Sequence, residues 1–175
     1  ILTPDQQDLL DAFQQHIDAE INKDLDKTLA TMTDDPHLNT IPTLIGGEGV
    51  DGVKAFYSSL ILSDKFFPPD TEMVPVSRTI DQNQLVDEII IKFTHTQEVG
   101  WMLPNIKPTG KKIESPLVVI VGFKEGKVTH EHIYWDQANV LVQLGLLDPE
   151  GLPVVGIEAA QKMEKLRHRV NEYQN

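Results

Sequence analysis

A turn and the two strands it implies constrain this chain more than any other feature. Lys124-Glu125-Gly126-Lys127 carries the glycine that a tight hairpin needs, with an apolar run before it and an alternating run after it. Before the turn, residues 111–123 read as a strand in which Leu117, Val118, Val119, Ile120 and Val121 are apolar at both parities, so both of its faces must be covered. After the turn, strand alternation places Val128, His130, His132, Tyr134 and Asp136 on one face and Thr129, Glu131, Ile133 and Trp135 on the other. Beyond Asp136 the period changes: Val140, Leu141 and Leu144 fall at helical spacing, and Gly145 suits a helix C-cap.

The strand after the turn therefore collects two imidazoles, a phenol and a carboxylate on one side. From the strand alone two orientations stay open. That side can face solvent while Ile133 and Trp135 enter the core. Alternatively it lines a cavity, because proton-exchanging groups are costly to bury without partners and useful around a ligand. The expectation carried forward is the cavity.

The rest of the chain reads as a container for that hairpin. Thr3-Pro4-Asp5-Gln6 opens a helix with a capping-box pattern, and Leu9, Leu10, Phe13, Ile17 and Ile21 mark its apolar stripe. His16 lies beside the stripe and reads as a helix-surface residue without a role. Leu25, Leu29 and Met32 suggest a second short helix, stopped by Thr33-Asp34-Asp35-Pro36. Residues 37–45 read as an edge strand or irregular crossing, with His37 toward the core. Gly46-Gly47-Glu48-Gly49 lacks the lysine and hydroxyl residue of a phosphate loop, so it reads as a flexible turn into a helix over 50–62. On that helix Val53, Phe56, Tyr57 and Leu60 share a stripe, and Tyr57 is placed to present its hydroxyl to an interior cavity. Strands follow over 71–81 and 85–96; the second puts Leu85, Asp87, Ile89, Ile91, Phe93 and His95 on one inward face. Trp101, Met102 and Leu103 tip a loop that either covers a pocket mouth or packs on a neighbouring subunit. After a linker over 146–156, a last helix over 157–173 has a stripe that ends on Tyr173.

Helices first and hairpin-linked strands after make an α+β domain, and a strongly bent sheet encloses a pocket against its helices. Four fragments, DLDKTLATM (24–32), GVDGVKAFY (49–57), Pro108-Thr109-Gly110-Lys111 and GKVTHEHIYWDQANVLVQLG (126–145), in this order and spacing, resemble the nuclear transport factor 2-like superfamily in its SnoaL-like polyketide cyclase branch. The resemblance covers residues 5–147 of a single domain over 1–175, with 148–175 as an extension beyond the family core. It implies a cone-shaped barrel of strongly bent, mainly antiparallel sheet wrapped around N-terminal helices, with a C-terminal helix, an interior pocket and a homodimer formed through the outer sheet. It further implies that Asp136 holds the acid/base position of SnoaL-like cyclases, with His132, His130 and His95 as the assisting histidines.

Charge and composition exclude several partners. Twenty-seven acidic against 15 basic residues give a net charge of −12, which repels nucleic acid and anionic membranes. With no cysteine there is no disulfide or thiolate chemistry. No apolar run reaches the roughly 18 residues of a membrane span, and a cytoplasmic location is expected. No serine stands in a nucleophile-elbow pattern.

The expected chemistry is proton transfer next to a carbonyl, without metal or cofactor, on a small hydrophobic organic ligand, as in a cyclase, isomerase or lyase. Asp136 would be the base and His132 or His95 would polarise the developing enolate. His130, Tyr134, Tyr57, Trp101, Phe93 and His37 complete the expected ligand-binding set. Two alternatives stay open. His130-x-His132 with Asp136 or His95 is a usable metal-ligand spacing. A non-catalytic binding or dimeric interaction module would leave Asp136 capping the next helix at Ala138 or Asn139.

Overall fold

The computed structural model describes residues 1–61 and 63–172. Thr3 caps α1 (Pro4–Ile21) with the full capping box: its hydroxyl accepts the Gln6 N–H, and the Gln6 side chain accepts the Thr3 N–H. Asp24 caps α2 (Leu25–Ala30). Then come β1 (Met32–Thr40), β2 (Ile45–Glu48), α3 (Gly49–Ile61), β3 (Glu72–Ile80), β4 (Gln84–Thr94), β5 (Lys112–Lys124), β6 (Lys127–Trp135), α4 (Gln137–Gln143) and α5 (Glu158–Glu172). Leu62 and Tyr173, the expected last residues of two helices, lie outside the described residues.

The strands form one sheet in the order β2-β1-β6-β5-β4-β3, antiparallel except for the β1–β6 pair. It curls without closing, so β2 and β3 are its edges, and α1 to α3 fill its concave side. The main core lies there, built from Phe13, Val53, Phe56, Leu60, Leu85, Ile91, Leu117 and Val121 among others. A smaller cluster of Val74, Val76, Ile90 and Ala160, with Met163 against it, marks where α5 covers the opposite face. That cover lies over β3 and β4, and on β5 the outward Val118 and Ile120 stay half-buried. No helix among the described residues is long and apolar enough to cross a membrane.

Several local expectations are corrected. Thr33 to Pro36 does not end the chain's second helix, since α2 stops at Ala30 and β1 runs straight through these residues. A register shift between Met32 and His37 absorbs the proline, which has no N–H to donate. Nor is β1 an edge; β2 is, and the glycines belong to it. A Cβ on Gly46 would stand 1.8 Å from the Leu38 carbonyl oxygen, so only glycine permits this approach. The loop after β4 is not left for a neighbour: Val99, Trp101, Met102 and Leu103 are all buried in this chain's own core.

One correction bears directly on function. Gly122 pairs with His130 but Phe123 pairs with Val128, so β6 carries one extra residue, Thr129. A one-residue bulge inverts side-chain parity beyond it. Val128 and, past the bulge, Glu131 and Trp135 are buried, while Tyr134 is exposed. The polar side of β6, with His130, His132 and Tyr134, is the outer wall of the sheet, and Glu131 is the ionisable residue that β6 sends inward.

Candidate functional site

Between the concave sheet and the helices lies a cavity of about 730 Å³. Its walls are mostly apolar: Phe13, Ile17 and Phe56 from the helices, Ile89, Ile91, Leu117, Val119 and Ile133 from the sheet, and Phe66, Phe67 and Trp101 from loops. The Trp101 indole is fixed by donating to the Phe66 carbonyl at 2.7 Å. At one side Arg78 holds Asp87 through two hydrogen bonds of 2.6 and 2.7 Å, and its guanidinium lies 5.8 Å from the Phe13 ring centroid.

Ionisable groups converge at one corner. His16 and Glu20 stand one turn apart on α1, Tyr57 comes from α3 and Glu131 from β6. His16 Nε2 lies 2.9 Å from Glu20 Oε1 and 3.6 Å from Glu131 Oε2. The Tyr57 hydroxyl donates to Glu20 Oε1 at 2.6 Å and lies 3.3 Å from Glu131 Oε2. Both carboxylates line the cavity, with side chains only 14% and 7% exposed, and His16 and Tyr57 are completely buried behind them. The other ring nitrogen is fixed as well. Thr31 Oγ1 donates its only proton to the Thr28 carbonyl at 2.6 Å, so at 2.7 Å His16 Nδ1 must be the donor to Thr31.

The corner sets its own electrostatics. Burial pulls the His16 imidazole down, but the charges of Glu20 and Glu131 and hydrogen bonds to both outweigh it and hold the group well above its usual value. Burial, then the same two carboxylates, push the Tyr57 phenol well up, so it remains a neutral donor. Two carboxylates thus face an apolar cavity, backed by an acid and a phenolic donor, which is equipment for moving a proton on a bound organic molecule.

No protein-family model and no curated protein matches the sequence. Solved structures do. A protein assigned as a SnoaL-like polyketide cyclase from Jannaschia sp. CCS1 superposes with a TM-score of 0.64 at 17% identity, over 85% of this chain and 99% of that one. For a nuclear transport factor 2-like protein from Burkholderia xenovorans LB400 the TM-score is 0.57 at 14% identity, over 80% and 95%. This chain has the nuclear transport factor 2-like fold. SalBIII, an epoxide hydrolase/cyclase-like enzyme of pyran ring formation in the polyether salinomycin, shares that fold with a TM-score of 0.55 at 12% identity, over 77% of this chain and 95% of its own. In a nuclear transport factor 2-like fold the concave side of the sheet is the interior, and here it is Glu131 that β6 presents there.

The residues singled out from sequence fall into three places. Tyr57 and Trp101 reach the cavity region, the first in the polar corner and the second in the wall. Phe93 and His95 are buried off the end of the cavity; neither is among its described lining residues. His95 Nδ1 accepts the Thr109 N–H at 3.2 Å, leaving Nε2 buried without a partner, and burial lowers its pKa. His37, His130 and His132 meet on the outer wall. His37 stacks on His130 at 5.0 Å with 7° between planes, and its Nε2 is 2.8 Å from that of His132. Tyr134 shares that wall, 42% exposed. Asp136 is exposed and accepts the Asn139 N–H at 3.1 Å as the N-cap of α4.

Sequence reasoning passed over His16, Glu20 and Glu131. A signal existed for the first two: Phe13, His16, Ile17 and Glu20 follow the i, i+3, i+4, i+7 spacing of the buried stripe itself. For Glu131 the signal was its parity with Ile133 and Trp135, in the orientation that sends that side into the core.

Proposed function

We propose that this protein binds a small, largely apolar carbonyl compound in the concave cavity and moves a proton on the carbon next to that carbonyl, in the manner of a cyclase, isomerase or lyase. The observation that carries this reading is the convergence of Glu131, Glu20, His16 and Tyr57 on one corner of an otherwise apolar space of about 730 Å³. That volume suits an organic molecule of one or a few rings. Glu131 takes the proton, while His16 and the Tyr57 hydroxyl, from behind, hold Glu20 and Glu131 in place. Asp136 and the outer histidines have no place in this scheme: none is among the described lining residues of the cavity, and Asp136 caps α4. A binding protein without turnover is the second reading, favoured by the way Tyr57 and His16 already spend their donors on Glu20 and Glu131. Two copies pairing through the outer face around Ile120 and Tyr134 complete the proposal, to be read from the mass in solution by light scattering.

The test is a thermal-shift screen with aromatic and lactone-like carbonyl compounds, followed by deuterium exchange from solvent into each hit. A ligand at 100 times its Kd stabilises by about 2.7 kcal/mol, which is readily seen. Exchange next to the carbonyl should occur with the wild type and fall by at least about 100-fold in Glu131→Gln. Exchange at the wild-type rate in that variant would remove Glu131 from the chemistry. Hits with no exchange in the wild type select the binding reading.

A further inference from the structure

We infer that the polar corner is a divalent-metal site, with His16 Nε2, Glu20 Oε1 and Glu131 Oε2 as its protein ligands. The inference deepens the reading above, since it rests on the same corner and adds the electrophile: on binding, the ion displaces the Nε2 proton of His16. One imidazole nitrogen and two carboxylate oxygens form a mixed donor set suited to zinc, manganese or ferrous ion. Their spacing fits as well. Ligands about 2.0–2.2 Å from one tetrahedral or octahedral ion stand roughly 3–3.5 Å apart. Here the nitrogen is 2.9 and 3.6 Å from the two oxygens, and all three atoms lie within 4.8 Å of one another.

Two further features belong to a ligand set more than to an ordinary buried ion pair. The first is the fixing of His16. A ligating histidine donates its remote ring N–H to an outer partner that sets tautomer and ring angle. The Nδ1–Thr31–Thr28 chain does this on the side away from the glutamates, committing Nε2 to face both carboxylates. The second is the charge count. Two carboxylates balanced by one imidazole leave surplus negative charge in a corner that is nearly closed to water, and a dication removes that surplus. Tyr57, donating to Glu20, orients one of the ligands as an outer-shell donor.

Both carboxylates line the cavity, so an ion they hold would lie beside it, where it would polarise a carbonyl oxygen that reached it. The three imidazoles of the outer wall make a useful contrast. His37 and His132 bring one nitrogen each to 2.8 Å, but His130 lies face to face with His37, and the three do not form one set; the His16–Glu20–Glu131 group is the one candidate cluster of three among the described residues.

The test uses full-length protein stripped with chelator, dialysed, and titrated calorimetrically with zinc chloride and separately with manganese chloride. The expected result is one ion per chain in the wild type, with affinity at least about 100-fold weaker in Glu131→Gln and 10- to 100-fold weaker in Thr31→Val. Glu20→Gln makes the same comparison at a more exposed position, should Glu131→Gln fail to fold. His130→Gln should bind as the wild type does. Absence of stoichiometric binding by either ion, undiminished binding in both glutamate variants, or loss of binding in His130→Gln would each overturn the metal site. Carbonyl binding and exchange by metal-free protein that takes up neither ion would refute the metal alone. Zinc bound at the corner with no carbonyl ligand found would refute the carbonyl reading alone.

Discussion

Tyr57→Phe is the sharpest perturbation of the polar corner, because it removes one oxygen and leaves the ring. The side chain is fully buried, and its hydroxyl gives its single proton to Glu20 at 2.6 Å while lying 3.3 Å from both Glu131 Oε2 and His16 Nε2. A hydrogen bond to a charged group contributes about 1.5–3 kcal/mol, and an unpaired buried carboxylate oxygen forfeits most of it. Glu20 retains 14% exposure, so water can partly replace the phenol and the lower half of that range applies. The expected loss is therefore about 1.5–2 kcal/mol, which for a domain of this size lowers Tm by about 3–8 °C.

Urea unfolding in the presence of chelator keeps any bound ion from entering the comparison. The denaturant slope should stay at its wild-type value, since the exposed surface on unfolding is the same. Because the Tyr57 phenol is held well above its usual value, the deficit should be constant from neutral to mildly alkaline pH. A double-mutant cycle with Glu20→Gln isolates the contact, with an expected coupling of about 1 kcal/mol or more. A loss under about 0.5 kcal/mol, or strict additivity in the cycle, would refute the idea that this hydroxyl holds the corner together.

The remaining predictions concern the residues outside the cavity. Asp136→Ala should cost about 1 kcal/mol through loss of the α4 cap, measured by urea unfolding, yet leave carbonyl binding and exchange at wild-type levels. Loss of exchange at unchanged stability would return Asp136 to the chemistry. The outer histidines make stability acid-sensitive. His130 and His132 are lowered by burial first, then by His132 and His37 acting on His130 and by His37 acting on His132, with Glu131 partly opposing at His130. Their contribution is thus whole above the unfolded value of about 6.5 and is lost as pH falls through their lowered folded values. The difference between wild type and His132→Gln, followed by urea unfolding, should shrink across that window; a difference that is flat with pH would reject the coupling.

What could be read from the sequence was what local chemistry decides. The capping box at Thr3, the Glu125-Gly126 turn, where both residues adopt positive φ, and the inward parity of β4 all follow from a few adjacent side chains. The orientation of β6 does not. Val128-Thr129-His130 holds no glycine or proline to announce a bulge, and the alternation it interrupts looks regular. The irregularity is shared with β1, whose pairing to β6 also shifts between Met32 and His37, so it is a property of three paired strands together. Gly122 is part of the same adjustment, since a Cβ there would stand 2.1 Å from the His130 ring.

The bulge also accounts for the division of labour between the two walls. A single inserted residue turns His130 and His132 outward, where they pack with His37, and by the same rotation brings Glu131 to the point that His16, Glu20 and Tyr57 already face. None of these four is stable in the interior alone. His16 carries its proton in a fully buried place only because two carboxylates surround it, and those carboxylates are tolerated only with the imidazole and the phenol beside them. The corner therefore assembles only when α1, α3 and β6 are docked together. An energy penalty for any partial arrangement makes the register of β6 a condition of folding as well as of chemistry.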